Sequence, residues 1–288
     1  MNLTSPKDVK DWCREHGFHP SRALGQNFLI DRNSLDAIIT TSGAAVGQRI
    51  LEIGPGLGVL TQALLQTGAY VTAIEKDHRL ARFLRDSLLP QFPNRLTLIE
   101  GDMLRQNLDE LLPGISAVVA NLPYSVGTRI LVDLALHSLA PATLTLLLQT
   151  EVAERLIAPE NHSERALLSV WIQRLYDVRL AQKIPPTCFY PRPEVDSTLI
   201  HLIRHNRHPL TPAQAALFAN LTRHAFTHRR KQLLPLLRSL KTLPDAALQN
   251  LFATLNLDPK TRPEQLSVST WCNLAIQFSA IIHQPSAL

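Results

Sequence analysis

The segment of this chain with the clearest chemistry is Asn121-Leu122-Pro123-Tyr124. An aromatic exocyclic amine such as adenine N6 is a poor nucleophile, because its lone pair is delocalised into the ring. Two acceptors on its hydrogens can draw that lone pair toward tetrahedral geometry. The side-chain oxygen of Asn121 and the backbone carbonyl of Leu122 are the candidate pair. Pro123 has no N–H and stiffens the turn. Tyr124 offers a ring on which an extruded base could stack, worth ~1–3 kcal/mol per base. No Asp stands in place of Asn121, so no strong general base is expected. The amine would lose its proton after the incoming group arrives, and catalysis would rest on alignment. A second aromatic, Phe189, lies in Phe189-Tyr190-Pro191-Arg192-Pro193, where the prolines fix an extended loop. Phe189 either closes a stacking clamp with Tyr124 or is pinned in the core.

A reacting amine needs a donor held beside it. Leu51-Glu52-Ile53-Gly54-Pro55-Gly56-Leu57-Gly58 is a glycine-rich turn between an expected strand and an expected helix. Glycines there let backbone approach a ligand closely. The spacing is G-x-G-x-G, and Val59 occupies the position where a dinucleotide turn would have its last glycine. Glu75 ends the next strand, about 20 residues beyond the turn, where an acid can accept from ribose hydroxyls. Asp102, in Glu100-Gly101-Asp102-Met103, follows a third strand and could accept from the exocyclic amine of a bound adenine. Each feature alone fits an ordinary strand end. Ligand-competent residues at consecutive strand ends point to a ligand crevice.

The elements that must carry these residues read as follows. A short helix ends at a Gly17/Pro20 break. Arg22–Leu29 (RALGQNFL) leads into a helix capped by Asp31 or Asn33, with Leu35, Ile38 and Ile39 on its apolar face. Strands are expected at 49–53, 70–74, 96–99, 116–120 and 144–148, with helices at 59–66, after Asp77 and at 127–137. Short runs rich in Val, Ile and Leu, separated by helices, predict a parallel sheet covered on both faces. Helical stretches at 151–157 and 166–175 precede strands at 177–181 and 198–203. No long helix separates those two strands, so an antiparallel edge is expected. Beyond a polar hinge at 206–209 only helices follow, at 215–226, 230–240, 245–255 and 270–281. The expected domains are an α/β unit over 1–205 and a small all-helical unit over 210–288.

Charge divides along the same boundary. The 288 residues carry a net charge of +5. From Ile200 onward, ten Lys and Arg stand against three acids, so this part is +7 and the remainder −2. A near-neutral body with a basic end suits a chain that holds a ligand in one part and touches phosphate with another. Arg223, His224, His228, Arg229, Arg230 and Lys231, in a helical region, are the candidate phosphate-contacting face, although a charge run by itself is more often a solvated surface. His201/His205 and His224/His228 have H-x-x-x-H spacing. The first pair lies in an expected strand and the second lacks a nearby carboxylate, so no metal site is expected. Cys13, Cys188 and Cys272 show neither metal spacing nor an even-numbered disulfide framework, which suits a reducing cytoplasm. The first residues lack an apolar signal core, and no apolar run approaches the ~20 residues that span a bilayer.

In the order LGQNFL, LEIGPGLGVLT, Glu75, GDML, NLPY, QTEVAERL, FYPRPEVDS, HRRKQLL and LDPKTRPEQLS, the chain closely resembles the ribosomal RNA adenine N6,N6-dimethyltransferase family. These segments run from Leu24 to Ser267. The resemblance implies a Rossmann-like methyltransferase domain, a helical C-terminal domain, and dimethylation of two adjacent adenines in the terminal hairpin of 16S small-subunit rRNA. It implies S-adenosylmethionine held by Asn27, Leu29, Gly54, Gly56, Glu75, Asp102 and Asn121, with GQNFL folded over it as a lid. It further implies a cytoplasmic monomer whose partner is rRNA in a pre-ribosomal 30S particle, with no membrane and no metal. LDPKTRPEQLS favours the small-subunit branch over the large-subunit (23S) branch of the macrolide-resistance type. An assembly factor with secondary methylation is a further reading. The chain departs from the family's usual pattern at Ser125-Val126-Gly127 and at Ser163-Glu164-Arg165-Ala166, which bears on the fine shape of the base pocket.

Overall fold

The computed structural model describes residues 1–228 and 231–282. Its contacts divide the chain into two compact units, 1–153 with 177–204, and 154–176 with 205–288. The expected boundary near 205–210 is therefore only the last of three crossings. Residues 154–176, expected within the α/β domain, group instead with the C-terminal helices.

The first unit opens with α1 (Pro6–Glu15), followed by β1 (Phe28–Leu29) and α2 (Arg32–Ser42). Asp31 is the cap of α2, accepting from the Ser34 backbone N–H at 2.7 Å. An alternation follows: β2 (Arg49–Ile53), α3 (Val59–Gln66), β3 (Tyr70–Glu75), α4 (His78–Ser87), β4 (Leu96–Glu100), α5 (Leu108–Leu111), β5 (Ala117–Asn121), α6 (Gly127–Leu136) and β6 (Thr143–Gln149). The chain then leaves through α7 (Thr150–Ile157) and α8 (Leu167–Leu175). It returns as β7 (Tyr176–Ile184), β8 (Phe189–Tyr190) and β9 (Ser197–Arg204).

Seven strands form one sheet in the order β4-β3-β2-β5-β6-β9-β7. The pairs from β4 through to β6 are parallel, and β9 runs antiparallel to β6, with Leu146 opposite Ile200. Its central strands are apolar on both faces: Ile50, Leu51, Val118, Val119, Leu146 and Leu147 are all fully buried. That is what a parallel sheet with helices on both sides requires. Successive strands after β2 build outward to β4, then the order reverses and β5 pairs with the other side of β2. Such a reversal opens a crevice at the carboxyl ends of the strands.

The second unit adds α9 (Pro212–Thr227), α10 (Leu233–Ser239), α11 (Asp245–Thr254) and α12 (Val268–Ile282) to α8. Its core contains Trp271, Phe278, Phe252 and Leu237, all buried. The Trp171 indole N–H donates to Thr222 Oγ1 at 2.9 Å, so the one polar atom of a large buried ring is satisfied. The helix expected from 230 begins at Leu233, which leaves Lys231 between α9 and α10 and exposed. No described helix is long and apolar enough to cross a membrane.

Candidate active site

Asn27, Gly54, Gly56, Glu75, Asp102 and Asn121 all line a single crevice at the carboxyl ends of β2, β3, β4 and β5. The glycine turn needs its glycines. Gly56 has φ +61°, and a Cβ there would lie 3.0 Å from the Phe28 ring. A side chain would be strained in backbone and would collide with the segment that covers the turn.

Glu75 ties this turn to the neighbouring strand. Its Oε2 accepts from the Gly56 N–H at 3.0 Å, and its Oε1 accepts from the Asp77 N–H at 2.8 Å. A carboxylate has about four acceptor sites, so each oxygen keeps room for a ribose hydroxyl. Only 5 % of Glu75 is exposed, and burial pushes its carboxyl up to about 7 against these two N–H donors. Asp102 behaves oppositely. Its Oδ2 pairs with Lys76 Nζ at 2.8 Å and its Oδ1 accepts from the Leu104 N–H at 3.0 Å. The Lys76 contact, the largest cause, holds its carboxyl below the usual range. Lys76 carries no signal in the sequence; only the adjacency of β3 and β4 brings it to Asp102.

Asn121 ends β5, and its Nδ2 donates to the backbone carbonyl of Asn27 at 2.9 Å. A carbonyl can only accept, so the NH2 half of the amide faces Asn27 and Oδ1 is the half left to act as acceptor. Leu122, the next residue, is 1 % exposed, and neither it nor Tyr124 is among the residues that line the crevice. Tyr124 is half-buried, and its hydroxyl shares a hydrogen bond with Ser197 of β9. Burial raises its phenol.

Phe189 and Leu29, two further expected site residues, also lie outside the crevice lining. Phe189 is 1 % exposed and packs in the main core with Leu29, Leu35 and Ile184. It offers no face to a base, and the clamp expected with Tyr124 does not form. The cause is a short antiparallel pairing of β1 with β8, which sets Leu29 opposite Phe189 and turns both side chains inward. Leu29 is 3 % exposed and is absent from the crevice lining, so its side chain is structural.

Glu52, beneath the glycine turn, is 1 % exposed, and its Oε2 has no hydrogen-bond partner among the described residues. Burial raises its carboxyl to about 8. Its folded-state value lies above its unfolded value. Its contribution to stability is therefore fully present below pH ~4.5 and is lost as pH rises through about 8. Glu52→Gln removes that loss. The variant should melt higher than the parent at pH 8–9, with the gap closing toward pH 5. A gap independent of pH would mean that Glu52 is not the titrating group.

Two carboxylates at adjacent strand ends, with open glycine backbone between them, form a hydrogen-bond acceptor set suited to a nucleoside-bearing cofactor. The Asn121 amide oxygen, at the far end of the crevice, is an acceptor suited to an amine. Fold and crevice together define a Rossmann-like, S-adenosylmethionine-dependent methyltransferase. The sequence profile of ribosomal RNA adenine dimethylases matches residues 17–280, and the chain belongs to that family. It is 38 % identical over 272 residues to ribosomal RNA small subunit methyltransferase A of Rhizobium etli, covering 93 % of this chain and 96 % of the relative. To the protein of the same name in Opitutus terrae it is 37 % identical over 285 residues, covering 97 % and 100 %. Among solved structures, a dimethyladenosine transferase from Plasmodium falciparum shares the fold at a TM-score of 0.76 and 24 % identity, covering 87 % of this chain and 96 % of that one. The 23S rRNA methyltransferase ErmE superposes at 0.66 and 25 % identity, covering 88 % and 100 %.

Proposed function

We propose that this enzyme transfers methyl groups from S-adenosylmethionine to N6 of two adjacent adenines in the 3′-terminal hairpin of 16S rRNA, acting as a monomer on a pre-ribosomal 30S particle in the cytoplasm. The observation that carries this reading is Asn121 at the end of β5, its amide NH2 already committed to Asn27 and its oxygen free to accept. The cofactor supplies an electrophilic methyl on a sulfonium. Glu75 would accept from its ribose hydroxyls and Asp102 from its adenine amine, and the backbone at Gly54 and Gly56 would let it lie close. The reacting amine is held by Asn121 Oδ1 and the Leu122 carbonyl, with Tyr124 beneath the base. The N–CH3 bond would form as the S–CH3 bond breaks, with the thioether as leaving group, and the now acidic nitrogen would then lose its proton to solvent.

The small-subunit assignment rests on the relatives that match nearly the whole chain under that name. The likeness to ErmE keeps a large-subunit target as the second reading. Incubation with labelled S-adenosylmethionine and unmethylated small and large subunits, followed by mapping of the modified bases, separates the two. Two labelled adjacent adenines in the small-subunit hairpin are expected. Label confined to large-subunit rRNA would overturn the assignment.

RNA affinity would come from the basic face of the second unit. Arg223 is exposed, with its guanidinium 5.2 Å from the Trp171 ring centroid, and Lys231 is exposed. Arg229 and Arg230 lie outside the described residues. His224 is half-buried, and its Nε2 lies 2.8 Å from Ser239 Oγ and 3.0 Å from the Leu236 carbonyl, which ties it to α10. Replacing Arg223, Arg229, Arg230 and Lys231 with Gln should weaken RNA binding. It should also flatten the log–log salt dependence by roughly 0.7–0.9 per lost phosphate contact. An unchanged slope in a filter-binding titration would make them ordinary surface charge.

A further inference from the structure

The segment 21–27 covers the crevice and is fastened at two points by two consecutive residues. Gln26 Nε2 donates to Asp77 Oδ2 at 2.9 Å, at the ribose end. The carbonyl of Asn27 accepts from Asn121 Nδ2 at 2.9 Å, at the reacting end. The segment is also folded on itself: the Ser21 N–H donates to Gln26 Oε1 at 2.6 Å, and the Gln26 N–H donates to the Ser21 carbonyl at 3.1 Å. Gly25, at φ +65°, lies directly on the catalytic turn. A Cβ there would stand 3.2 Å from Pro123 Cβ and 3.3 Å from the Tyr124 nitrogen. Asp77 is 7 % exposed, and its other oxygen, Oδ1, caps α4 by accepting from the Arg79 N–H at 2.9 Å. The anchor for Gln26 is therefore a rigid, buried carboxylate whose second oxygen faces the covering segment.

We propose that Gln26 is a positioning residue for methyl transfer. By holding the 21–27 segment on Asp77, it sets the Asn27 carbonyl where it takes the Asn121 amide hydrogen and leaves Asn121 Oδ1 aimed at the reacting nitrogen. The inference rests on the role given above to Asn121. Without the anchor at residue 26, the adjacent carbonyl is held less firmly, and the Asn121 amide is free to rotate or flip. An acceptor presented at random is a weaker partner for the amine in the transition state, where orientation counts most. Gln26 also lines the crevice; the role assigned to it here runs through Asn27 and Asn121.

Two variants test this. Gln26→Met removes the donor at similar length. Gln26→Glu keeps the acceptor for the Ser21 N–H but sets a carboxylate against Asp77. Single-turnover transfer at saturating S-adenosylmethionine, on pre-bound unmethylated small subunits, should slow about tenfold or more in both. That is the size expected for losing a hydrogen bond to a charged group. In an Asn121→Ala background, Gln26→Met should slow transfer no further, because no amide remains to be oriented. The Asn121 side-chain amide resonance in 15N-labelled protein, assigned by its loss in Asn121→Ala, should shift or broaden in Gln26→Met. An unchanged rate at saturating cofactor, full additivity with Asn121→Ala, or an unmoved Asn121 resonance would each overturn the proposal. The resonance is read without turnover. A parent that methylates no RNA would therefore sink the functional reading, while the resonance would still decide whether Gln26 and Asn121 are coupled.

Discussion

Asn121→Ala is expected to slow methyl transfer by about 100- to 1000-fold while sparing RNA binding. The size follows from comparison with a single oriented donor in an oxyanion hole, whose loss commonly costs ~2.7–4 kcal/mol in the transition state. The geometry supports the comparison. The Asn121 amide is held at 2.9 Å by a carbonyl 94 residues earlier in the chain, so its oxygen is oriented before any substrate arrives. An interaction that strengthens only as the amine becomes tetrahedral lowers the barrier without tightening ground-state binding. The same substitution frees the 21–27 segment at one of its two anchors, so cofactor affinity should fall as well. The rate must therefore be measured at saturating S-adenosylmethionine, in a single turnover. A rate close to the parent's under those conditions would reduce Asn121 to a strand-end residue that holds a lid.

Much of the framework is legible in the sequence because it is written locally. The expected strands at 49–53 and 70–74 and the helix at 59–66 match β2, β3 and α3 nearly residue for residue. Each of the two strands is a short, mostly apolar run that meets a glycine or a polar turn at its end. The crevice acids are legible for the same reason, since each sits at the end of such a run. What the sequence hides is set by contacts between distant positions. Phe189 reads equally as a loop aromatic or a core residue until β1 pairs with β8, and two-residue strands are too short to show periodicity. Residues 154–176 carry ordinary helical patterning, and nothing local says which core their apolar faces join. Arg-Arg-Lys-Gln are good helix formers, so propensity extends α10 back to 230, although the described helix starts at Leu233. Gln26 and Asp77 are 51 positions apart, and their hydrogen bond appears only once the sheet sets the end of β3 beside the covering segment.

Cofactor affinity should rise with pH, by about tenfold between pH 6 and 8, because of Glu75. Burial raises this carboxyl to about 7, the two N–H donors from Gly56 and Asp77 only partly offsetting it. Ribose hydroxyls donate to an ionised carboxylate, so the binding-competent form is the deprotonated one. At one pH unit below its folded-state value, roughly one-tenth of the protein is competent, and apparent affinity falls in proportion. Above pH 8 nearly all of it is ionised and the dependence should flatten. Binding then draws a proton off Glu75 near neutrality, which calorimetry in buffers of different ionisation heat would detect as proton release. Removing the acid outright is a poor test: Glu75→Ala would strand the buried Gly56 and Asp77 N–H groups, a cost of about 1–3 kcal/mol each, and would loosen the glycine turn. Glu75→Gln keeps one side-chain oxygen as an acceptor for one of those N–H groups and cannot titrate. Its affinity for S-adenosylhomocysteine should be lower than the parent's at pH 8 and flat from pH 6 to 8. Should the variant keep the parent's pH dependence, the titrating group lies elsewhere. The nearest other candidate is Glu52, whose raised value of about 8 would place the rise a unit higher.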